Sequence, residues 1–98
     1  DGPGTNPEQM FAAGYAACFI GALGSVAGQE KVKLPADVKV TGEVGIGPIP
    51  TGFAIKVKLI VDLGDIDTDK EAMVAKAHEV CPYSNATRGN VEVEFEVV

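Results

Sequence analysis

An uninterrupted apolar run constrains this chain more than any other feature. In NPEQMFAAGYAACFIGALGSVAG, residues 6–28, no charged side chain occurs between Met10 and Gly28. Asn6 is a strong helix N-cap, Pro7 suits the first helical position, and Gln9 stands at capping-box distance from the cap. Glu8 in the first turn complements the positive end of the helix dipole. The pattern predicts one helix over about residues 7–27, with Gly28 as its C-terminal stop. At about 1.5 Å per residue such a helix is roughly 30 Å long, which is also the thickness of a bilayer core.

A membrane span has support in that length, in the lack of charge, and in small residues four apart, Gly21 with Ser25 and Gly24 with Gly28. Against it, Ala and Gly fill about half of the run and large aliphatics are few. The rest of the chain is a charged, alternating pattern that needs a soluble core of its own. The preferred reading is a central helix, apolar all round because it is buried all round. Its small residues, among them Ala12, Ala13, Gly14, Ala16, Ala17, Gly21 and Ala22, would let another backbone approach closely.

Downstream, Val38, Val40, Val44 and Ile46 alternate with Lys39, Thr41, Glu43 and Gly45, the period of a half-buried strand. GPIPTG, residues 47–52, reads as a turn or loop. A second strand follows, with Phe53, Ile55, Val57, Leu59, Val61 and Leu63 on one face and Lys56, Lys58 and Asp62 on the other. Thr68 and Glu71 form a capping box opening a helix that runs to about Val80, with an apolar stripe of Met73, Ala77, Val80 and Cys81. Pro82 enforces its end, PYSNATRGN reads as a loop, and VEVEFEVV is a third strand. The order is α-β-β-α-β: a single α+β domain over residues 1–98, with helices covering an antiparallel-leaning sheet on one face. A domain of this size buries little core by itself, so oligomerisation is expected. A net charge of −6 argues against nucleic acid or an anionic membrane surface as partner. No secretory signal pattern is visible. The opening DGPGTNPEQ lacks an initiator methionine and reads as an interior starting point, with upstream residues expected.

Cys18 and Cys81 are the only cysteines, without a CxxC or a zinc-ligand ladder, so a structural metal is not expected. By pattern they are open to three readings: small apolar core residues, a static disulfide, or a redox couple. A peroxide-reactive thiol requires a thiolate, a nearby cation and a second thiol to trap the oxidised product. A free cysteine has a pKa near 8.5, so only about three per cent is ionised at pH 7, and apolar burial lowers that further. A mid-helix cysteine gains nothing from its own helix N-terminus, so a cation must be brought to it. The candidates are Arg88, the sole arginine, and His78, one turn before Cys81. Their ordinary roles are, respectively, a surface or structural loop arginine and a hydrogen-bonded histidine on a helix rim.

Two segments, NPEQMFAAGYAACF and HEVCPYSNATRGN, resemble the signature segments of the organic hydroperoxide resistance proteins, the Ohr branch of the OsmC-like family. Strand and helix order agree to Val98. The resemblance implies a bacterial, cytoplasmic thiol peroxidase built as an intertwined homodimer, with long central helices and the family's N-terminal strands missing from this chain. Cys18 then matches the peroxidatic cysteine, Cys81 the resolving cysteine, and Glu8 an active-site glutamate. The family's active-site arginine lies in an N-terminal segment that this chain does not contain, and Arg88 belongs to a different motif. The implied cycle needs no metal, haem or flavin, and its reductant is a lipoylated partner protein. An organic peroxide suits an apolar pocket, for which Met10, Phe11, Tyr15 and Phe53 are the expected walls. Glu8 and Cys18 are ten residues apart, about 15 Å of rise on one helix, and point to different faces. They share a site only if they come from different subunits or if the helix breaks after its first turn. The rivals are an osmotically induced OsmC-type peroxidase and a non-enzymatic apolar-ligand-binding or interaction domain with structural cysteines.

Overall fold

Asn6 caps the first helix as its position predicts, its Oδ1 accepting the Gln9 N–H at 2.8 Å. In the computed structural model, which describes residues 6–66 and 68–98, helix α1 runs unbroken over Pro7–Glu30. The reading of the opening residues 1–5 lies outside the described residues. The helix does not stop at Gly28. It ends at Lys31, which turns left-handed at φ 57°, while the Lys31 and Val32 amides take up the carbonyls of Gly28 and Ala27.

Strands β1 (Lys39–Ile49) and β2 (Gly52–Asp62) form an antiparallel hairpin in unbroken register from Lys39↔Asp62 to Ile49↔Gly52. The turn is therefore only Pro50 and Thr51, shorter than the loop predicted over 47–52. Pro48 stays in a strand because β1 is an edge strand, where a residue without an N–H is tolerated. The second helix is capped by Asp69 rather than Thr68. Asp69 Oδ1 accepts from the amides of Glu71 and Ala72, and α2 spans Lys70–Val80. Its buried stripe is Met73, Val74, Ala77 and Cys81; Val80 faces outward.

A short helix, α3 (Pro82–Thr87), occupies what reads as a loop, and β3 (Glu92–Val97) returns parallel to β2. The sheet is thus mixed, in the order β1-β2-β3. The antiparallel-leaning expectation holds for the hairpin and fails for β3, because the intervening α2–α3 segment is a helical crossover that carries the chain back to the end where β2 begins. Val40, Val44, Val57, Leu59, Val61, Val93, Phe95 and Val97 point from this sheet to the helices. The opposite face carries charged side chains, with Lys58 and Glu96 paired at 3.1 Å.

Helix α1 is long and apolar enough to cross a bilayer, yet it is used as a core element. Tyr15, Phe19, Leu23 and Val26 project from one side of it into the core shared with β2 and α2. Gly42 lets the helix close on β1: a Cβ there would stand 2.6 Å from the backbone oxygen of Ala12. The expectation of a helix buried all round is corrected. Met10, Ala13, Ala17, Ile20, Gly21 and Gly24 form a second, open stripe, because the sheet covers one side of the helix only. The result is a slab of 45 × 32 × 19 Å with an apolar face exposed.

Candidate active site

Cys18 stands midway along α1, half-buried. Cys81 is the joint between α2 and α3, closing the first as C-cap and opening the second as N-cap. The residue before a proline is driven to extended backbone, and Cys81 has φ −65° and ψ 125°. Its amide bonds the Ala77 carbonyl and its carbonyl accepts the Asn85 amide, both at 2.9 Å, so the joint is fixed from both sides. Cys81 is fully buried, and its Sγ lies 3.3 Å from the Cys18 Sγ. Both are free thiols. A disulfide bond is about 2.05 Å long, so the sulfurs need to close by little more than an ångström to bond.

Burial lifts the Cys18 thiol above its ordinary pKa, a backbone hydrogen bond from Tyr83 opposes this, and the neighbouring Cys81 thiol adds to the rise. The Tyr83 contribution revises one expectation. Cys18 gains nothing from the start of its own helix but meets the start of another: Pro82 has no N–H, so Tyr83 offers the first free amide of α3. Among the described residues no cationic side chain acts on Cys18. Taken alone, this chain therefore favours the thiol.

Beside the sulfurs runs a chain of side-chain hydrogen bonds. The fully buried Ser84 Oγ lies 2.6 Å from the Tyr15 Oη and 2.7 Å from the His78 Nδ1. His78 thus bonds Ser84, and no hydrogen bond joins it to either cysteine among the described residues. Burial and the positive charge of Arg88 both hold the imidazole below its ordinary 6.5. Arg88 donates to the His78 carbonyl at 2.5 Å and to Asn85 Oδ1, which makes it a clamp at the end of α2 with no contact to Cys18.

Phe11, Tyr15 and Tyr83 form an aromatic trio with ring centroids 5.8–5.9 Å apart, Phe11 stacked on Tyr83. Met10 and Phe53, expected as walls beside Phe11 and Tyr15, are 64 % and 75 % exposed and do not join them within this chain. Met10 belongs to the open stripe of α1, one position off the trio's face. Phe53 lies at the start of β2, beyond the reach of the helical layer. Glu8 is half-buried in the first turn of α1, in a groove of about 460 Å³ with Asn6, Gln9, Ala12 and β1 residues 42–44 and 46. Because α1 is continuous, Glu8 sits about 15 Å along the axis from its own Cys18. The broken-helix alternative is thereby removed. Sequence reasoning did not single out Tyr83 and Ser84. Pro82 directly after a capping position was the available signal, the same one that marks the start of α1.

A sequence profile for OsmC-like protein matches residues 1–96. The chain is 60 % identical over 98 residues to an uncharacterized protein of Acinetobacter baylyi, covering 99 % of this chain and 68 % of the relative. It is 59 % identical over 93 residues to an organic hydroperoxide resistance protein of Xanthomonas axonopodis pv. citri, covering 94 % and 66 %. Among solved structures, the organic hydroperoxide resistance protein OhrB of Bacillus subtilis superimposes with a TM-score of 0.89 at 49 % identity, over 97 % of this chain and 71 % of that one. The chain spans about two thirds of the length of the curated relatives it matches.

Proposed function

The chain belongs to the OsmC-like family, in the branch whose members are named organic hydroperoxide resistance proteins, and on that premise we propose that Cys18 and Cys81 are the redox pair of a cytoplasmic thiol peroxidase. The observation that carries this reading is the 3.3 Å approach of two reduced sulfurs, one half-exposed and one buried. The Cys18 thiolate attacks the terminal oxygen of ROOH. The O–O bond breaks, the alkoxide leaves and takes a proton to become ROH, and Cys18 is left as a sulfenic acid. The Cys81 sulfur then attacks the Cys18 sulfur; hydroxide leaves, combines with the thiol proton as water, and a Cys18–Cys81 disulfide remains. An external dithiol of the lipoyl type gives up two electrons and two protons to restore both thiols.

The thiol-favouring surroundings of Cys18 require a positive charge from beyond the described residues. A second copy of the chain, packed on the open stripe of α1, is the partner we assign to that face. Glu8 serves the partner's Cys18 rather than its own, since a continuous helix separates the two in one chain. In the same arrangement Phe11 and Tyr15 line the peroxide pocket directly, and Met10 and Phe53 reach it only across the interface. The aromatic trio beside Cys18 favours an organic over an inorganic peroxide.

The test is consumption of cumene hydroperoxide by the full protein with a dithiol reductant. Cys18→Ser should abolish turnover. Cys81→Ser should consume one equivalent to reach the Cys18 sulfenic acid and a second to over-oxidise it to the sulfinic acid, and then stall. Undiminished turnover in Cys18→Ser overturns the proposal and leaves the cysteines as structural residues.

A further inference from the structure

Each member of the Tyr15–Ser84–His78 hydrogen-bond chain stands three residues from one of the two cysteines: Tyr15 before Cys18, Ser84 after Cys81, His78 before Cys81. Residues at that spacing on a helix occupy one face. The chain of bonds therefore ties the Cys18-bearing turn of α1 to the end of α2 and the start of α3 at the level of the sulfurs. We propose that His78 is a positioning residue that acts through Ser84 to hold Cys81 opposite Cys18, and so sets the rate at which the Cys18 sulfenic acid closes to the disulfide. The proposal deepens the peroxidase reading and rests on it.

The direction of the hydrogen bonds gives the proposal a handle. With the imidazole neutral and its proton on Nε2, Nδ1 accepts the Ser84 O–H, and the Ser84 oxygen is free to accept the Tyr15 O–H. The two buried hydroxyls, of Tyr15 and Ser84, are then satisfied. With the imidazole protonated, Nδ1–H donates to Ser84, and the Ser84 and Tyr15 hydroxyls then have two protons for the one hydrogen bond between them, whichever of the two donates. Protonation thus strands a buried hydroxyl proton, which loosens the clamp. The groups facing His78 are Arg88 at the end of α3, Glu71 on its own helix, the apolar Phe95 and Val97 on β3, and Tyr15 of α1 through Ser84. Burial and Arg88 keep the ring neutral at pH 7.

The experiment uses the full protein, oxidised with one equivalent of cumene hydroperoxide, and follows sulfenic acid formation and disulfide closure separately. His78→Phe removes the acceptor; His78→Asn places an amide oxygen where Nδ1 stood. We expect His78→Phe to slow closure about tenfold relative to sulfenic acid formation and to raise the over-oxidised fraction of Cys18, with His78→Asn restoring most of the rate. Closure in the unmodified protein should slow more steeply as pH falls below 6.5 than closure in His78→Asn, which keeps only the slope that any attacking thiol imposes. Ser84→Ala should reproduce the Phe variant's defect, which keeps the test open should that variant fold poorly. Closure as fast in His78→Phe and Ser84→Ala as in the unmodified protein, or an unchanged pH profile in His78→Asn, overturns the positioning role. If the unmodified protein forms no disulfide with hydroperoxide, it is the peroxidase reading itself that fails.

Discussion

Replacing Gly42 by alanine tests the packing that places α1, and with it Cys18, over the sheet. The added Cβ would stand 2.6 Å from the Ala12 oxygen, 3.1 Å from its carbonyl carbon and 3.2 Å from its Cα. Every one of these is a backbone atom of a continuous helix, so no side-chain rotamer relieves the overlap. Ordinary carbon–oxygen contact begins near 3.3 Å, and the helix must move off β1 by roughly 0.7 Å, giving up dispersion contacts along Tyr15, Phe19 and Leu23. Overpacking of this kind costs about 1–3 kcal/mol. For a domain near 100 residues that corresponds to a fall in Tm of roughly 4–8 °C per kcal/mol. Gly47→Ala is the control, since a Cβ at that position of the same strand meets nothing within 4 Å. Urea denaturation of both variants beside the unmodified protein measures the difference. Should Gly42→Ala unfold within 0.5 kcal/mol of Gly47→Ala, about the scatter of neutral surface substitutions, the close approach of α1 to β1 is not what positions the helix.

Three further outcomes follow from the same geometry. If a second copy packs on the open stripe of α1 as proposed, Ile20→Asp in the middle of that stripe should convert the dimer to monomer in sedimentation velocity, because an unpaired carboxylate in a buried apolar interface costs several kcal/mol; an unmodified protein that is already monomeric, or an assembly unchanged by the substitution, would refute that packing. Cys81 is 0 % exposed and Cys18 half-buried, so a monothiol added to the oxidised protein should be trapped as a mixed disulfide on Cys18, by peptide mapping, with Cys81 as the leaving thiolate; predominant trapping on Cys81 would refute the access argument. The folded-state pKa of His78 lies below its unfolded value, so the unfolded chain takes up the proton first. His78 therefore favours unfolding as pH falls through 6.5 towards its folded pKa, and His78→Asn should flatten the stability profile in that window.

The parts of the fold that were legible in the sequence are those governed by local chemistry. Asn6-Pro7 wrote the start of α1, and the alternation of valine with lysine and glutamate wrote all three strands. Errors arose where tertiary context overrides a local signal. Gly28 signals a helix stop, but Lys31 can reach the last carbonyls and the helix continues. Thr68 and Asp69 are adjacent capping residues, and only the direction of the Asp69 side chain decides between them. The parallel pairing of β3 depends on where the crossover returns, which no alternation pattern encodes. For the site, the two cysteines stood out by rarity, whereas Ser84 looks like any loop serine until the fold brings Tyr15 and His78 to it from 69 and 6 residues away. Phe53 had the correct face of its strand but no helix above it, a matter of hairpin length rather than periodicity.

The central claim is that residues 18 and 81 form a working dithiol, and peptide mapping of the full protein after one equivalent of alkyl hydroperoxide tests it most directly. The account predicts that both thiols disappear together and that the two cysteine peptides are recovered joined within a single chain. Recovery of both cysteines still reduced, or of Cys18 oxidised while Cys81 remains a free thiol, would contradict it.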